Sequence, residues 1–555
     1  MAEQDHESES STTPLNMSLP SRKRASVIRR IPEPEETKDT EDEADVILNS
    51  QMGLLKRRPD REELDEILSA PLFTYPVLKH AETLATTSSK TPFSQYALFA
   101  GEAHRLQHAS VGDPRIFYNV STPSSIFICG SQGSGKSHSL SCMLENCLIP
   151  SSRLGRLPSP LTGIVFHYDT FNSESGGTPC EAAYLASNLD VKVRVLCSRT
   201  NIRTIRDTYK ALDGVTVEEL RLAETNLNTQ RMLELMAFGD RSPPLYMHVI
   251  QRILREMRID QQNAGSNFEY ADFKRRLEYE RLTPDQMRPL TQRLETLESF
   301  MASPTSRLRS QSAWMSRKDT PKPGDTDWTP EAGQLIIVDL SCPCVTSTMA
   351  CSLFNICLSI FLEQESSIGR VIALDEAHKY MGDTAECETL TNNLLSAIRL
   401  QRHLGARIII STQEPTISPK LLDLCSITIV HRFTSPSWLG ILTKHLAGIS
   451  ALSKVTKSNT TNQRDRQQDR NEVSTDTRDT VISSDDSILM LFSQIVELKT
   501  GEALVFAPNA MISSGERIIP GEEMIGAFNR QAHQVMRIIV RSRITTDGGQ
   551  SVMAV

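Results

Sequence analysis

The residues whose types and spacing point most directly to chemistry are Gly130-Ser131-Gln132-Gly133-Ser134-Gly135-Lys136-Ser137, which fit the pattern GxxxxGK[ST] without a mismatch. Glycines at these positions let the backbone wrap and aim its N–H groups at phosphate oxygens. The Lys136 ammonium then reaches the β- and γ-phosphates, and the Ser137 hydroxyl can ligate Mg²⁺. The loop follows an apolar strand pattern, Ile126–Cys129, and opens a helix at His138. That is the context a phosphate loop requires, because the helix N-terminus itself favours anions. Residues Gly130 to His138 therefore read as a nucleotide-phosphate site, with a Gly/Ser-rich turn as the bland alternative.

Three further groups have the right character to act on a bound phosphate. Val371-Ile372-Ala373-Leu374 is an apolar run that ends in Asp375-Glu376. A carboxylate pair at the C-terminal edge of a buried strand sits where ligands of parallel sheets bind. Asp375 suits a water-mediated Mg²⁺ contact, and Glu376 is placed to orient or deprotonate an attacking water. The ordinary alternative is that both only cap the next helix. Arg407–Ile410 is followed by Ser411-Thr412-Gln413, and an amide at that strand end can hold the lytic water or merely satisfy a loop. Arg399 and Arg402 lie on a helix predicted from about Glu388 to Leu404, its buried stripe being Leu390, Leu394, Leu395 and Ile398. Three positions apart, the two share a face, either solvated or supplied to a neighbouring subunit's γ-phosphate.

The elements that must hold these groups are legible as strands and helices in alternation. Ile126–Cys129, Ile164–Tyr168, Val191–Cys197, Leu335–Leu340, Val371–Leu374, Arg407–Ile410, Ile427–Val430 and Ala503–Ala507 read as strands. Most are continuous apolar runs, the pattern of strands buried on both faces of a parallel sheet. The expected fold class is α/β, with helical crossovers.

Residues 1–50 are expected to be a disordered tail, carrying a basic patch from Ser21 to Arg30 and an acidic run after it. Residues 51–115 form a partly helical segment, with strong order signals only from about Ile116. The main domain is expected over 116–450, with a helical insert at about 200–330. Residues 451–486 read as a polar disordered insertion, and 487–555 as a helix and strands that complete the core.

Composition narrows the setting. The 555 residues carry 60 Lys+Arg against 68 Asp+Glu, a net charge of −8, so bulk charge gives no argument for nucleic-acid binding. No stretch is long and apolar enough to predict membrane insertion, and the first ten residues lack a secretory h-region. Eleven cysteines without a close CxxC pair suit reduced thiols, and hence an intracellular protein, cytoplasmic or nuclear. Cys342-Pro-Cys344 has no second ligand pair at metal spacing.

Taken in order, these pieces resemble the HerA/FtsK branch of P-loop ATPases. Gly130–Ser137 is similar to its phosphate loop, Leu335–Ser341 to the strand before its Walker B helix, and Leu374-Asp-Glu-Ala-His378 to its Walker B block. Arg399-Leu-Gln-Arg402-His-Leu-Gly405, Ile410-Ser-Thr-Gln-Glu-Pro415 and Lys499-Thr-Gly-Glu-Ala-Leu-Val505 resemble its arginine segment, its glutamine sensor strand and a late strand. The resemblance implies a RecA-like core, a homo-oligomeric ring with ATP and Mg²⁺ at subunit interfaces, and an arginine finger at Arg399 or Arg402. It points to DNA as a partner, while the tails would offer surfaces to proteins. His403-Leu404 departs from the family's Lys-Phe, and no N-terminal barrel is recognisable. Two other readings stand beside it. One is a nucleotide-gated binding switch with little turnover. The other is a DEAH-type helicase, since Asp375-Glu-Ala-His378 spells that box. Against the helicase, Lys136 and Asp375 lie too far apart for one undecorated helicase domain, and no second RecA-like half follows.

Overall fold

Runs of Ile, Val, Leu and Phe without polar interruption can be buried only between two layers, and a central sheet covered on both faces supplies them. The computed structural model of the chain describes residues 47–48, 50–52, 54, 59–88, 92–108, 112–170, 177–236, 245–301, 325–382, 384–445, 484–513, 528–530 and 535–548. The chain forms two units, Met1–Arg58 and Pro59–Val555. Within the first, the described residues are helical and exposed. Of the disordered tail expected over 1–50, residues 47–48 and 50 are helical, while 1–46 with the basic patch at 21–30, and most of the polar insertion, 451–483, lie outside the described residues.

The strands of the second unit are, in chain order, β1 (Leu72–Thr74), β2 (Tyr96–Glu102), β3 (Arg115–Asn119), β4 (Ser125–Cys129), β5 (Gly155–Arg156), β6 (Thr162–His167), β7 (Lys192–Cys197) and β8 (Val215–Glu219). They continue with β9 (Gln334–Asp339), β10 (Arg370–Leu374), β11 (Ala406–Thr412), β12 (Ile427–Val430), β13 (Glu502–Phe506), β14 (Met511–Ser513), β15 (Phe528–Arg530) and β16 (Met536–Val540). One sheet orders them β15-β14-β1-β3-β2-β16-β13-β12-β4-β11-β10-β6-β9-β7-β8, with β5 paired to β2. From β12 to β8 every pairing is parallel. Beyond β12 the sheet continues antiparallel through β13, β16, β2, β3 and β1. This is the α/β class with a mainly parallel sheet expected from the sequence, extended by an antiparallel wing.

Side chains on β4 alternate between the two faces, as the strand period demands. Phe127 and Cys129 join the core under the helices Ser347–Glu363 and Ala385–Arg399. Ile126 and Ile128 face the helix Lys136–Leu148 through Leu140, Met143, Leu144 and Cys147. All four β4 residues are 0% exposed, and burying each aliphatic or aromatic one contributes about 1.5–3 kcal/mol.

Residues 200–330 supply helices Ile202–Tyr209, Thr229–Met236, Leu245–Ala264, Tyr270–Glu278 and Pro284–Ser299, and also β8, which extends the parallel sheet. The stripe Tyr246, Ile250, Ile253 and Leu254 is buried as its spacing predicts. Two features differ from the sequence reading. Strands β1 and β2 precede Ile116; β2 buries residues irregularly along Tyr96–Glu102 (only Ala97, Phe99 and Ala100 are fully buried), so no continuous apolar run marked it. The helix expected over Glu388–Leu404 starts at Ala385, capped by Thr384, and ends at Arg399. Leu400 leaves helical geometry (φ −97°, ψ 6°) before a single turn, Gln401–Leu404, closed by Gly405 at φ +57°. Arg399 and Arg402 thus lie on separate helical segments, both exposed, and the three-residue spacing does not put them on one continuous face.

Candidate functional site

Register brings the sequence-predicted groups to one edge. On β4 and β11, Cys129 pairs with Thr412. On β11 and β10, Ile410 pairs with Leu374, and on β10 and β6, Leu374 pairs with Phe166. The next residues, Gly130, Gln413, Asp375 and His167, therefore emerge side by side from the C-terminal ends of adjacent parallel strands.

Between Cys129 and Lys136 the chain turns on glycines that no other residue could replace cheaply. Gly130 sits at φ +153°, where a Cβ would lie 2.7 Å from His431 Cβ, and Gly135 at φ +112°, where one would lie 3.0 Å from the Gly501 nitrogen. The Ser134 hydroxyl donates to Ser131 O at 2.7 Å, and that of Ser131 to Arg432 O at 2.8 Å. Lys136 is 3% exposed and donates through Nζ to Ser131 O at 3.1 Å. Burial lowers its pKa, opposed by the nearby charges of Glu376 and Asp375.

Asp375 is buried, with Oδ2 3.2 Å from His167 Nδ1 and 3.7 Å from Cys180 Sγ. Burial works to raise its pKa, but the hydrogen bond and charge of His167, helped by Lys379, hold it below the ordinary carboxylate range. Its Oδ1 is buried without a hydrogen-bond partner among the described residues. Glu376 adopts the left-handed region (φ 46°, ψ 47°), a conformation costing a non-glycine residue on the order of 1 kcal/mol or more. Burial first, then the adjacent Asp375, raises its carboxyl above the usual range.

Glu376 Oε2 comes within 3.3 Å of His378 Nδ1. The same nitrogen lies 3.3 Å from the Gln413 N–H, which it accepts, and burial pulls the imidazole down to about 4. His378 is therefore neutral, the contact is not an ion pair, and Glu376 Oε2 lacks a hydrogen-bond partner among the described residues. Gln413 Nε2 donates to Gln132 Oε1 at 2.5 Å, tying the glutamine strand to the phosphate loop.

A cleft of about 840 Å³ has Gly135, Lys136, Ser137 and His138 on one side and Asp375, Glu376 and Lys379 on another, while Gln413 and His378 stand outside its lining and reach it only through Gln132 and Glu376. Thr500, Gly501, Val540, Ser542 and Gly548 close a third side. The arrangement fits a nucleotide with its magnesium. Gly133 and Gly135 line the cleft without side chains, Lys136 is part of the wall, and Asp375, with its bare Oδ1, shares the cleft with Ser137. A second cleft, about 290 Å³, runs along Pro289, Arg293 and Thr348 and contains none of the predicted site residues. Neither Arg399 nor Arg402 lines the larger cleft.

Several participants were not singled out from sequence. His167 ends β6 and touches Asp375. Lys379 donates to Asp169 Oδ1 at 3.1 Å. His138, by contrast, was expected at the phosphate site; it lines the cleft, and its Nε2 lies 2.8 Å from Arg541 O, so the chain after β16 packs on the helix behind the phosphate loop. His431, which follows β12, is fully buried between Ser139 Oγ (2.8 Å) and Glu502 O (2.9 Å). Only His167 left a signal, a polar residue at the end of an otherwise apolar run.

Neither a family model nor a curated protein matches the chain. Among solved structures it is similar to VirB4 of Thermoanaerobacter pseudethanolicus, at 11% identity over 80% of this chain and 96% of that one, with a TM-score of 0.41. It is also similar to the cytoplasmic domain of the type VII secretion ATPase EccC of Thermomonospora curvata, at 10% identity over 82% of this chain and 29% of that one, TM-score 0.27. A third is the genome packaging NTPase B204 of Sulfolobus turreted icosahedral virus 2 in complex with AMP, at 13% identity over 32% and 62%, TM-score 0.19.

Proposed function

We propose that the chain is a Mg²⁺-dependent ATPase of the HerA/FtsK type that works as a motor in a homo-oligomeric ring, with DNA as the polymer it moves. The observation that carries the reading is the adjacency of β4, β11 and β10, which puts Lys136 and Ser137, Gln413, and Asp375 and Glu376 on one sheet edge. In this reading the N–H groups of Gly130–Ser137 and the Lys136 ammonium bind the β- and γ-phosphates. Ser137 and Asp375 would hold Mg²⁺, which when bound neutralises charge on the phosphate oxygens. Glu376, raised in pKa and without a hydrogen-bond partner at Oε2, takes the proton of the attacking water, and Gln413 orients that water from beside Gln132. Arg399 or Arg402, both exposed, would act on a neighbouring subunit's nucleotide.

The test is the ATPase rate of the purified chain, alone and with double-stranded DNA, single-stranded DNA and RNA, measured beside its native mass. Turnover stimulated by double-stranded DNA in an oligomer supports the motor. ATP binding without turnover in a monomer would overturn it in favour of the nucleotide-gated switch.

A further inference from the structure

Where β6 ends, a side-chain cluster goes beyond what phosphate chemistry requires. His167, Cys180 and Asp375 bring a ring nitrogen, a sulfur and a carboxylate oxygen within 4.8 Å of one another. They are 6%, 0% and 3% exposed. Nδ1 of His167 lies 3.2 Å from Asp375 Oδ2, and Cys180 Sγ lies 3.7 Å from the same oxygen.

Two hydrogens, one on nitrogen and one on sulfur, thus converge on a single oxygen. The other carboxylate oxygen and the far ring nitrogen, His167 Nε2, are buried with no hydrogen-bond partner among the described residues. One cation in place of both hydrogens would satisfy all three facing atoms. A tetrahedral zinc with bonds of about 2.0–2.1 Å to nitrogen, about 2.0–2.2 Å to oxygen and about 2.3 Å to sulfur sets its N···O edge near ~3.4 Å and its S···O edge near ~3.6 Å. Both observed separations lie within roughly 0.2 Å of those edges.

We infer that His167 Nδ1, Cys180 Sγ and Asp375 Oδ2 form a binding site for a thiophilic divalent cation, zinc foremost, separate from the magnesium that accompanies the nucleotide. One thiolate and one imidazole among three ligands select zinc over magnesium, which requires six oxygens in near-octahedral array. Binding releases the Cys180 thiol proton to solvent, and His167 binds through Nδ1 as the neutral imidazole with its one hydrogen on Nε2. Three protein ligands leave a fourth position for water. It opens toward the large cleft, which His167 and Asp375 line and Cys180 does not. The cation thereby places a second divalent charge on Asp375, so zinc should inhibit Mg·ATP turnover. This last consequence rests on the proposed ATPase; the metal site does not.

The experiment titrates Co²⁺ into the full chain after chelator treatment, in buffer free of thiols. One equivalent should bind, with a thiolate-to-cobalt charge-transfer band and the intense visible bands of four-coordinate cobalt, and Zn²⁺ should displace it. Cys180→Ser should lose the charge-transfer band and bind Zn²⁺ at least about 100-fold more weakly, since even outer-shell changes can cost that much. Its unaltered Mg·ATP affinity would show that the fold is intact. X-ray absorption at the zinc edge of the unmutated chain reports independently of any variant: one sulfur with nitrogen and oxygen neighbours is expected. No band in the parent chain, an identical band in Cys180→Ser, or a zinc shell with no sulfur or with several would each overturn the site. If cobalt binds as expected but ATP is not hydrolysed, the metal site stands and the ATPase reading falls.

Discussion

Replacing Glu145 by glutamine should destabilise the chain far more than a neutral swap of similar volume suggests. Glu145 is 0% exposed, on the helix that the phosphate loop opens. It accepts from Arg541 Nη1 at 2.6 Å, from the Thr545 N–H at 3.0 Å and from the Thr545 hydroxyl at 2.6 Å. The Ile544 N–H adds a fourth contact at 3.1 Å. The Arg541 side chain is only 9% exposed, so without its carboxylate a buried guanidinium keeps its neutral partners at Leu98 O and Asn146 but loses its counter-charge. Breaking one partner of a buried pair costs about 3–5 kcal/mol. The control is Glu82→Gln, because Lys79 and Glu82 are 57% and 41% exposed and solvent screens such a surface pair to little effect on stability. Urea unfolding followed by circular dichroism gives both values as the slope times the midpoint shift. Nucleotide affinity should fall with the first variant too, since Ser542 and Gly548, which follow Arg541, line the cleft. A Glu145→Gln protein within about 1 kcal/mol of the parent, indistinguishable from Glu82→Gln, would refute the reasoning.

Lys136→Ala should abolish tight Mg·ATP binding in equilibrium titration; unchanged affinity would sink the phosphate-loop assignment. Glu376→Gln should retain binding while hydrolysis slows roughly 10²-fold or more, whereas Asp375→Asn should weaken Mg²⁺-dependent binding. If both hydrolyse at the parent rate, the acting carboxylates lie elsewhere. Because the base must be deprotonated and Glu376 is raised in pKa by burial and Asp375, turnover should fall with acidification at a higher pH than an ordinary glutamate would dictate. That limb should vanish from the residual rate of Glu376→Gln, and His378, held near 4, should add no other between pH 5 and 8. Mixing Arg399→Ala or Arg402→Ala subunits with Glu376→Gln subunits should partly restore hydrolysis, since a finger contributes on the order of 10³–10⁵ in rate. Co-assembly without rescue would count against a finger acting between subunits.

The parallel half of the sheet was legible because strands covered on both faces must be apolar throughout, as Ile164–Phe166 and Ile408–Ile410 are. Of the antiparallel wing, β13 was legible in the apolar run Ala503–Ala507, and most of the rest was not. β16 alternates buried Met536, Ile538 and Val540 with half-exposed Arg537 and Ile539, and its partner β2 carries a bulge between Leu98 and Ala100. In the site, each motif announced its chemistry, but adjacency is a property of strand order. Nothing in the run Lys499–Val505 says that Gly501 closes on Gly135, nor does the sequence near Cys180 reveal Asp375 beside it. The left-handed turn at Glu376 was equally hidden, since glutamate gives no conformational signal of the kind glycine gives.

The neighbours of β4 carry a consequence for how the chain is made. Ser125, at its start, pairs with Ser426, 301 residues further on, and both strands that flank it, β11 and β12, come from that distant region. At about 5–20 residues per second, the ribosome needs roughly 15–60 s to deliver them. Through that interval Ile126, Phe127 and Ile128 have neither of their eventual sheet neighbours, a condition that favours association with other nascent chains or with a holding chaperone. A rare-codon stall or a premature stop between 150 and 400 would leave every glycine of the phosphate loop translated and none of its lateral support in place. The loop is synthesised early and assembled last.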